Sequence, residues 1–265
     1  MLTVFELVKD NDIIITGSNA NMLSGELATL LSDRYIEFPI YPLSFQEFLS
    51  VKGVEVNSRK IDNTYDEYEK YVEFPSVVIA EEAIKNTILS DNVGLLVNSS
   101  KIVNTLKSEG VETTTHTVNR YLDLLENGYL FYRVRQYDIL GREYLRTNGK
   151  YFIVDSGLRR NAIGRKDGNY SNRLENIVFI ELKRRGFTVD VGRHDNKEID
   201  FVARKLDETL YVQVTYESPN NTHETDNLLN IKDNYKKIVI TSRYHDEEQI
   251  NGIPIIYIVD WLMAE

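Results

Sequence analysis

The sequence predicts a mixed α/β protein that contains more than one domain. A length of 265 residues suits two or three small domains. Hydrophobic residues make up 42% of the chain, and 17 Tyr and 10 Phe can fill several cores, which argues against wholesale disorder. Helix-like and strand-like apolar patterns alternate along the chain, and this alternation is the basis for the fold class.

Charge and composition limit the classes of function. A net charge of −10 argues against a general nucleic-acid coat, because phosphate contacts need local positive charge. Residues 156–193 nevertheless hold 9 basic and 4 acidic side chains. Such a stretch suits a phosphate-binding surface, an intramolecular docking face or a solvated face. No apolar run approaches a membrane span, and the opening MLTVFELVKDNDIIIT carries acids where a signal peptide carries basic residues, so we expect a cytoplasmic protein without a membrane partner.

The N-terminal segment predicts part of a larger parallel-sheet domain. Residues 13–16, Ile-Ile-Ile-Thr before Gly17, are typical of a buried strand. The following SNANMLSGELATLLSDRY predicts a helix with one leucine-rich face. A single strand and helix cannot cover both faces of a parallel sheet, so the unit is incomplete alone. The acidic, aromatic TYDEYEKYVEF farther on predicts a helix in a connector.

Residues 84–150 have the pattern of a winged helix-turn-helix. SSKIVNTLKSEG predicts one helix, and THTVNRYLDLLENGYL predicts a second, after which two strand-like runs form a wing. In a DNA-reading unit the second helix would present His116, Asn119 and Arg120 to the major groove. Residues 84–135 hold only 6 basic and 5 acidic groups, so docking to a protein remains an equal alternative.

The last segment predicts an α/β domain. SNRLENIVFIELKRRGF predicts a capped, buried helix, and EIDFVARKLDETLYVQVTYE predicts a hairpin. KKIVITS and IPIIYIV predict two further strands, and a terminal helix is expected to begin at Asp260.

Two sets of sequence segments resemble one protein family. IITGSNANMLSGELATLLSDRYIEFPIYPLSFQEFL resembles the late part of the ATPase domain of prokaryotic AAA-type ATPases that end in a domain of unknown function, DUF4143. LENIVFIELKRRG, EIDFVA and YVQVTY resemble that C-terminal domain, whose core is similar to PD-(D/E)XK nucleases. The resemblance implies an ATPase remnant over 1–41, a helical connector over 42–83, a winged helix over 84–150 and a nuclease-like domain over 151–265.

The resemblance also implies nucleotide-sensing positions, although the ATP-binding motif is missing. Thr16, Ser18 and Asn19 match the sensor 1 positions of the family. Arg34 stands where the family usually has Gly-Arg and where its arginine finger is suspected, although Asp33 precedes it here; Arg34 could instead pair with a neighbouring acid on the surface. No G-x-x-x-x-G-K-[ST] window occurs in the sequence. We therefore expect a truncated chain, or one part of a split system, that uses ATP only with an upstream domain or a separate ATPase half.

For the nuclease-like segment, the resemblance places two carboxylates at Glu175 and Asp200, where they would bind Mg²⁺ or Mn²⁺. The E-x-K pair of the family falls on Gln213 and Thr215, which removes a carboxylate and the lysine; Lys232 is a conceivable replacement. The two carboxylates could instead pair with neighbouring arginines.

We therefore expect a catalytically inactive regulatory module that binds DNA or a protein partner and is not an enzyme on its own. The alternative is a metal-dependent DNA nuclease that uses Glu175, Asp200 and Gln213.

Overall fold

The computed structural model describes residues 36, 38–55, 60–71, 99–145, 149–154, 170–216, 223–246 and 248–264. Within these ranges the protein is mixed α/β, which confirms the predicted fold class. The predicted strand at 13–16, its helix and the nucleotide-sensing residues Thr16, Ser18, Asn19 and Arg34 lie outside the described residues.

Two helices precede the main body of the fold. Helix α1 (Phe45–Lys52) begins at a capping box, in which the Ser44 side chain and the Glu47 side chain bond each other's backbone N–H groups. Helix α2 (Ile61–Tyr71) confirms the predicted connector helix. The two helices contact each other through buried aromatic side chains and join the largest hydrophobic core.

A second, smaller core is built from two helices and a pair of strands. Helices α3 (Ser99–Ser108) and α4 (Thr115–Asn127) were both predicted. The Thr114 hydroxyl caps α4 by accepting from the Thr117 N–H. Strand β1 (Phe131–Val134) pairs antiparallel with β4 (Lys150–Ile153). Side chains from all four elements form one cluster.

The predicted wing is divided between two sheets. Strand β2 (Gln136–Asp138) pairs antiparallel with β3 (Glu143–Tyr144), as a wing hairpin would. Strand β2 also pairs in parallel with a strand of the large sheet, which satisfies its second edge. The expected boundary between residues 150 and 151 falls inside β4, where Phe152 packs into the large core and Tyr151 and Ile153 pack into the small one.

The large sheet has the strand order β3-β2-β5-β6-β7-β8-β10-β9 among the described residues. Its remaining strands are β5 (Thr188–His194), β6 (Lys197–Arg204), β7 (Thr209–Thr215), β8 (Lys236–Thr241), β9 (Gln249–Ile250) and β10 (Ile253–Tyr257). Strands β6 and β7 form the predicted antiparallel hairpin, and β8 and β10, the two further predicted strands, pair in parallel. Strand β5 was not predicted, although it joins β2 to β6 near one end of the sheet.

Helices cover both faces of this sheet. Helix α5 (Tyr170–Arg184) and α7 (Ile258–Met263) pack on one face, where the largest core lies. Helix α7 begins two positions before the predicted Asp260. Helix α6 (His223–Leu229) covers the other face, where Leu228 packs with Val202 and Val239. The arrangement is a three-layer α/β unit.

Candidate functional site

Four ionisable side chains meet where β4, α5 and β6 come together. The Lys150 ammonium lies 2.5 Å from a carboxylate oxygen of Glu198 and 3.4 Å from one of Glu175. The side chains of Lys150 and Glu175 are only 5% and 13% exposed, and Asp200 is 7% exposed. One buried ammonium therefore lies near three carboxyl groups, of which Glu198, at 36% exposed, is the most accessible to water.

The position of Lys150 is fixed by the strand that carries it. The Asn176 side chain accepts from the Ile153 N–H at 2.9 Å and donates to the Ile153 carbonyl at 2.7 Å, so β4 is tied to the middle of α5. Glu175, the neighbour of Asn176, is thereby brought next to the first residue of β4. Gly149, at φ +76, leads into the strand, and a Cβ there would lie 2.3 Å from the Val134 carbonyl oxygen.

Asp200 lies where β6 and β7 separate. Their pairing extends from Arg204 opposite Thr209 to Phe201 opposite Val212. One step farther, the Asp200 carboxylate accepts from the Val214 N–H at 2.7 Å and takes the place of a backbone partner. The notch between the two strands is therefore closed by an acidic side chain.

The surroundings shift the pKa of both Asp200 and Lys150. Burial raises the pKa of Asp200 well above its ordinary value, and the nearby Glu175 carboxylate adds to the rise, against the opposing effect of Lys150. Burial alone would lower the pKa of Lys150, but the carboxylates of Glu175 and Glu198 outweigh it and raise that pKa. Lys150 is therefore charged at neutral pH, whereas Asp200 retains its proton to a higher pH than an ordinary Asp.

Gln213 follows this cluster in strand register, one step beyond the Phe201–Val212 pair and opposite Asp200 in the continuation of that register. Leu210, Val212 and Val214 of β7 pack into the core beneath α5. Tyr211 packs into the core beneath α6, and Gln213 has the same parity in the strand. Its amide oxygen is buried and has no hydrogen-bond partner among the described residues.

The cation of the cluster is Lys150 and not the residue that was considered from sequence. Lys232 is exposed and follows α6, which covers the face of the sheet opposite to α5 and Glu175. The arginines that were considered as partners bond elsewhere: Arg184 and Arg185 lie beside Glu181, and Arg193 donates to the Asp195 carbonyl.

The three candidate DNA-contacting residues share the exposed side of α4. His116, Asn119 and Arg120 are all exposed. Asn119 also accepts a hydrogen bond from the Ser99 hydroxyl at 2.5 Å, which links the starts of α3 and α4. The hydrophobic Leu124 is 57% exposed on the same helix.

The donors of the cluster are oxygen atoms of the kind that Mg²⁺ and Mn²⁺ prefer. Across the described ranges, however, no three His, Cys, Asp or Glu side chains are grouped closely enough to hold a metal ion. No helix in the described part of the chain is long and apolar enough to cross a bilayer.

Two family models and two related proteins match parts of this chain. Residues 2–49 match the family model of an AAA domain, and residues 84–169 match that of a domain of unknown function, DUF8612. An uncharacterized protein of Haemophilus influenzae is 61% identical, over 96% of this chain and 71% of that protein.

The chain belongs to the same family as this Haemophilus protein.

A more distant member of the comparison, an uncharacterized protein of Methanocaldococcus jannaschii, is 27% identical over 78% of this chain and 55% of that protein. The chain thus spans about seven tenths of one relative and about half of the other. A match to the crystal structure of a Vibrio cholerae protein covers 83% of this chain and 59% of that protein, at 14% identity. Its TM-score of 0.27 is too low to indicate a shared fold. The AAA match confirms the AAA-type part of the resemblance, and its DUF4143 part stays a prediction.

Proposed function

We propose that the chain serves as a binding module of an AAA-type ATPase, that it recognises DNA or a protein partner, and that its nuclease-like cluster does not cut DNA. The proposal that the cluster does not cut DNA rests on the Lys150 ammonium, which lies between Glu175 and Glu198. The ammonium already balances part of the negative charge of Glu175 and Glu198, which weakens the attraction of these carboxylates for a divalent metal. A metal ion placed beside the ammonium would be repelled by it.

The position of Gln213 supports the same conclusion. A metal held by this fold needs oxygen ligands from two neighbouring strands on one face. Asp200 supplies one, whereas the matching position on β7 is Gln213, a neutral amide in place of a carboxylate. The cluster then combines the carboxyl groups of Glu175, Glu198 and Asp200 with an ammonium, and Gln213 adds no further negative charge for a metal.

The AAA match supports the place of the module within a larger machine. Helix α4 offers the more direct surface for recognition, since His116, Asn119 and Arg120 are exposed along it. A helix that follows a turn and presents polar and basic side chains is the element that helix-turn-helix proteins insert into the major groove.

A second candidate function is a metal-dependent nuclease, and one observation favours it. Lys150 comes to lie beside Glu175 and Asp200, and a lysine near two carboxylates is what the sequence pattern lacked at Thr215. Mg²⁺ or Mn²⁺ bound to Asp200 and Glu175 would stabilise the charge that develops on the scissile phosphate. Lys150 would then stabilise the attacking water from the protein side.

DNA incubated with and without Mn²⁺, followed by gel shift and cleavage, tests both candidates. We expect a shift without cleavage, and we expect Arg120→Ala to weaken the shift while Lys232→Ala, a matched exposed cation, leaves it unchanged. Mn²⁺-dependent cleavage that Asp200→Ala abolishes and Asp207→Ala retains would establish the nuclease instead. If the protein neither shifts nor cuts DNA, the module binds a protein partner.

A further inference from the structure

A cavity of about 710 Å³ opens at the far end of β6 from the acidic cluster. It is lined by residues of β3, the end of α5 and the strands that follow, namely Tyr144, Arg185, Gly186, Thr188, Arg204, Lys205 and Leu206. Arg204 is four positions along the strand from Asp200, which separates the two places by about 13 Å. The cavity is therefore distinct from the candidate nuclease-like site, and its volume is within the range of small-ligand sites, about 300–1,000 Å³.

The lining is positively charged. Three of its seven residues are cationic, two carry hydroxyl groups and none is acidic. Among the described residues Lys205 has no acidic partner, and its ammonium lies 4.1 Å from the centre of the Phe187 ring. A cavity with several donors and no carboxylate of its own favours an anion.

The two arginines do have acidic partners, but those partners lie behind them. Arg204 donates to the Asp190 carboxylate, and Arg185 donates to a Glu181 carboxylate oxygen at 2.8 Å. The side chains of Asp190 and Glu181 are 5% and 11% exposed, whereas those of Arg204 and Arg185 are 28% and 21% exposed. The acids orient the guanidinium groups, and the guanidinium groups form the accessible surface.

Further contacts hold these donors in place. Arg204 also donates to the Tyr144 hydroxyl at 3.0 Å, and Arg185 donates to the Trp261 carbonyl at 2.7 Å. Because the side chains are already ordered, a ligand need not pay for fixing their rotamers. Planar guanidinium groups held in this manner suit phosphate, whose oxygens accept paired N–H donors.

We infer that this cavity binds phosphate groups through Arg185, Arg204 and Lys205. A nucleic-acid backbone or a free polyphosphate could supply them, and the choice of nucleic acid rests on the proposed function. The exposed Leu206 and the Tyr144 ring at the rim give an apolar surface against which a sugar or base can pack. This surface would let the chain bind a nucleic-acid strand at a place separate from helix α4.

The single tryptophan provides a direct readout of this cavity. The guanidinium carbon of Arg185 lies 4.4 Å from the centre of the Trp261 ring, so a ligand on Arg185 changes the surroundings of that ring. We would titrate the protein with a single-stranded DNA oligonucleotide and, separately, with inorganic pyrophosphate, and follow Trp261 fluorescence. The variants are Lys205→Glu, the milder Lys205→Gln, and Lys232→Glu as a charge-matched control away from the cavity.

We expect both ligands to change Trp261 emission and Lys205→Glu to weaken DNA binding about tenfold, with Lys205→Gln in between and Lys232→Glu unchanged. The salt dependence of DNA binding should become shallower by about 0.7 in log–log slope for one lost contact to single-stranded DNA. Pyrophosphate binding that needs Lys205, without any DNA binding, would support the phosphate site and refute DNA recognition. Binding of either ligand that is equal in the Lys205 and Lys232 variants, or no binding of either, would overturn the inference.

Discussion

Lys150 is nearly inaccessible to water, and its charge is stabilised by carboxylates from two other elements. Removing one member of a buried ion pair leaves the remaining charges uncompensated, which costs about 3–5 kcal/mol. We therefore predict that Lys150→Gln lowers the free energy of unfolding by about 3 kcal/mol, as measured by urea denaturation. Lys232→Gln, at an exposed lysine, should change it by less than about 0.5 kcal/mol.

The partner of Lys150 provides a check on the cause of that loss. Adding Glu175→Gln to Lys150→Gln removes one of the unpaired charges, so the double variant should regain part of the stability. If the single and double variants are equally unstable, the loss comes from packing, and the electrostatic explanation is wrong.

Removing the charge of Asp200 should stabilise the protein, whereas removing that of Lys150 destabilises it, because the pKa of Asp200 is raised in the folded state. Between the unfolded pKa, near 4, and the folded pKa, the folded protein binds more protons than the unfolded chain, so stability falls as pH rises through this window. We predict that Asp200→Asn stabilises the protein at pH 7 and that the gain disappears below about pH 4. Thermal unfolding across pH 3–8 measures this, and a gain that does not depend on pH would contradict it.

At the scale of single elements, local patterns were sufficient for most helices and strands. Helix α5 and the β6–β7 hairpin were predicted because their apolar periods and turn residues are contained in short windows. Strand β5 was missed, since Asp190, Gly192 and Arg193 interrupt its apolar pattern. Asp190 is tolerated there only because Arg204, on the next strand, pairs with it.

Gly192 shows why β5 does not have the composition of an ordinary strand. A Cβ at this position would lie 2.8 Å from the Ile199 Cβ and 2.9 Å from a Val202 methyl carbon on the neighbouring strand. We predict that Gly192→Ala destabilises the protein by about 1–3 kcal/mol through overpacking, measured by urea denaturation. Gly141→Ala is the control, because a Cβ there would meet nothing closer than 3.4 Å; equal losses in both variants would refute the packing argument.

The candidate site was only partly predictable, because it depends on contacts between residues that are far apart in the chain. Glu175 and Asp200 were singled out, and the structure brings them together, where the Glu175 carboxylate contributes to the raised pKa of Asp200. Lys150 was missed, because it belongs to a strand that the sequence assigned to the preceding segment. Its approach depends on the bonds between Asn176 and Ile153, and no local pattern encodes a contact between residues so far apart in the chain.

At the scale of the whole molecule, β4 connects the two cores. Its side chains alternate between them, and Phe152 stacks on Phe179 of α5 with 4.5 Å between ring centres. A strand shared in this manner cannot leave one core without disturbing the other. The α3–α4 unit and the large sheet should therefore unfold as one cooperative unit and not as independent domains.

Leu106 and Trp261 allow a test of this coupling, because they report on different cores. Leu106 is fully buried in the small core, and Trp261 lies in the large one. We predict that Leu106→Ala, which should cost about 2–5 kcal/mol, shifts the urea midpoint of Trp261 fluorescence and of far-UV circular dichroism together. Leu124→Ala, at a side chain that is 57% exposed on α4, should leave both midpoints nearly unchanged. If Leu106→Ala moved the circular dichroism transition alone, the small core would unfold separately, and α4 could then be released from the sheet when it engages its partner.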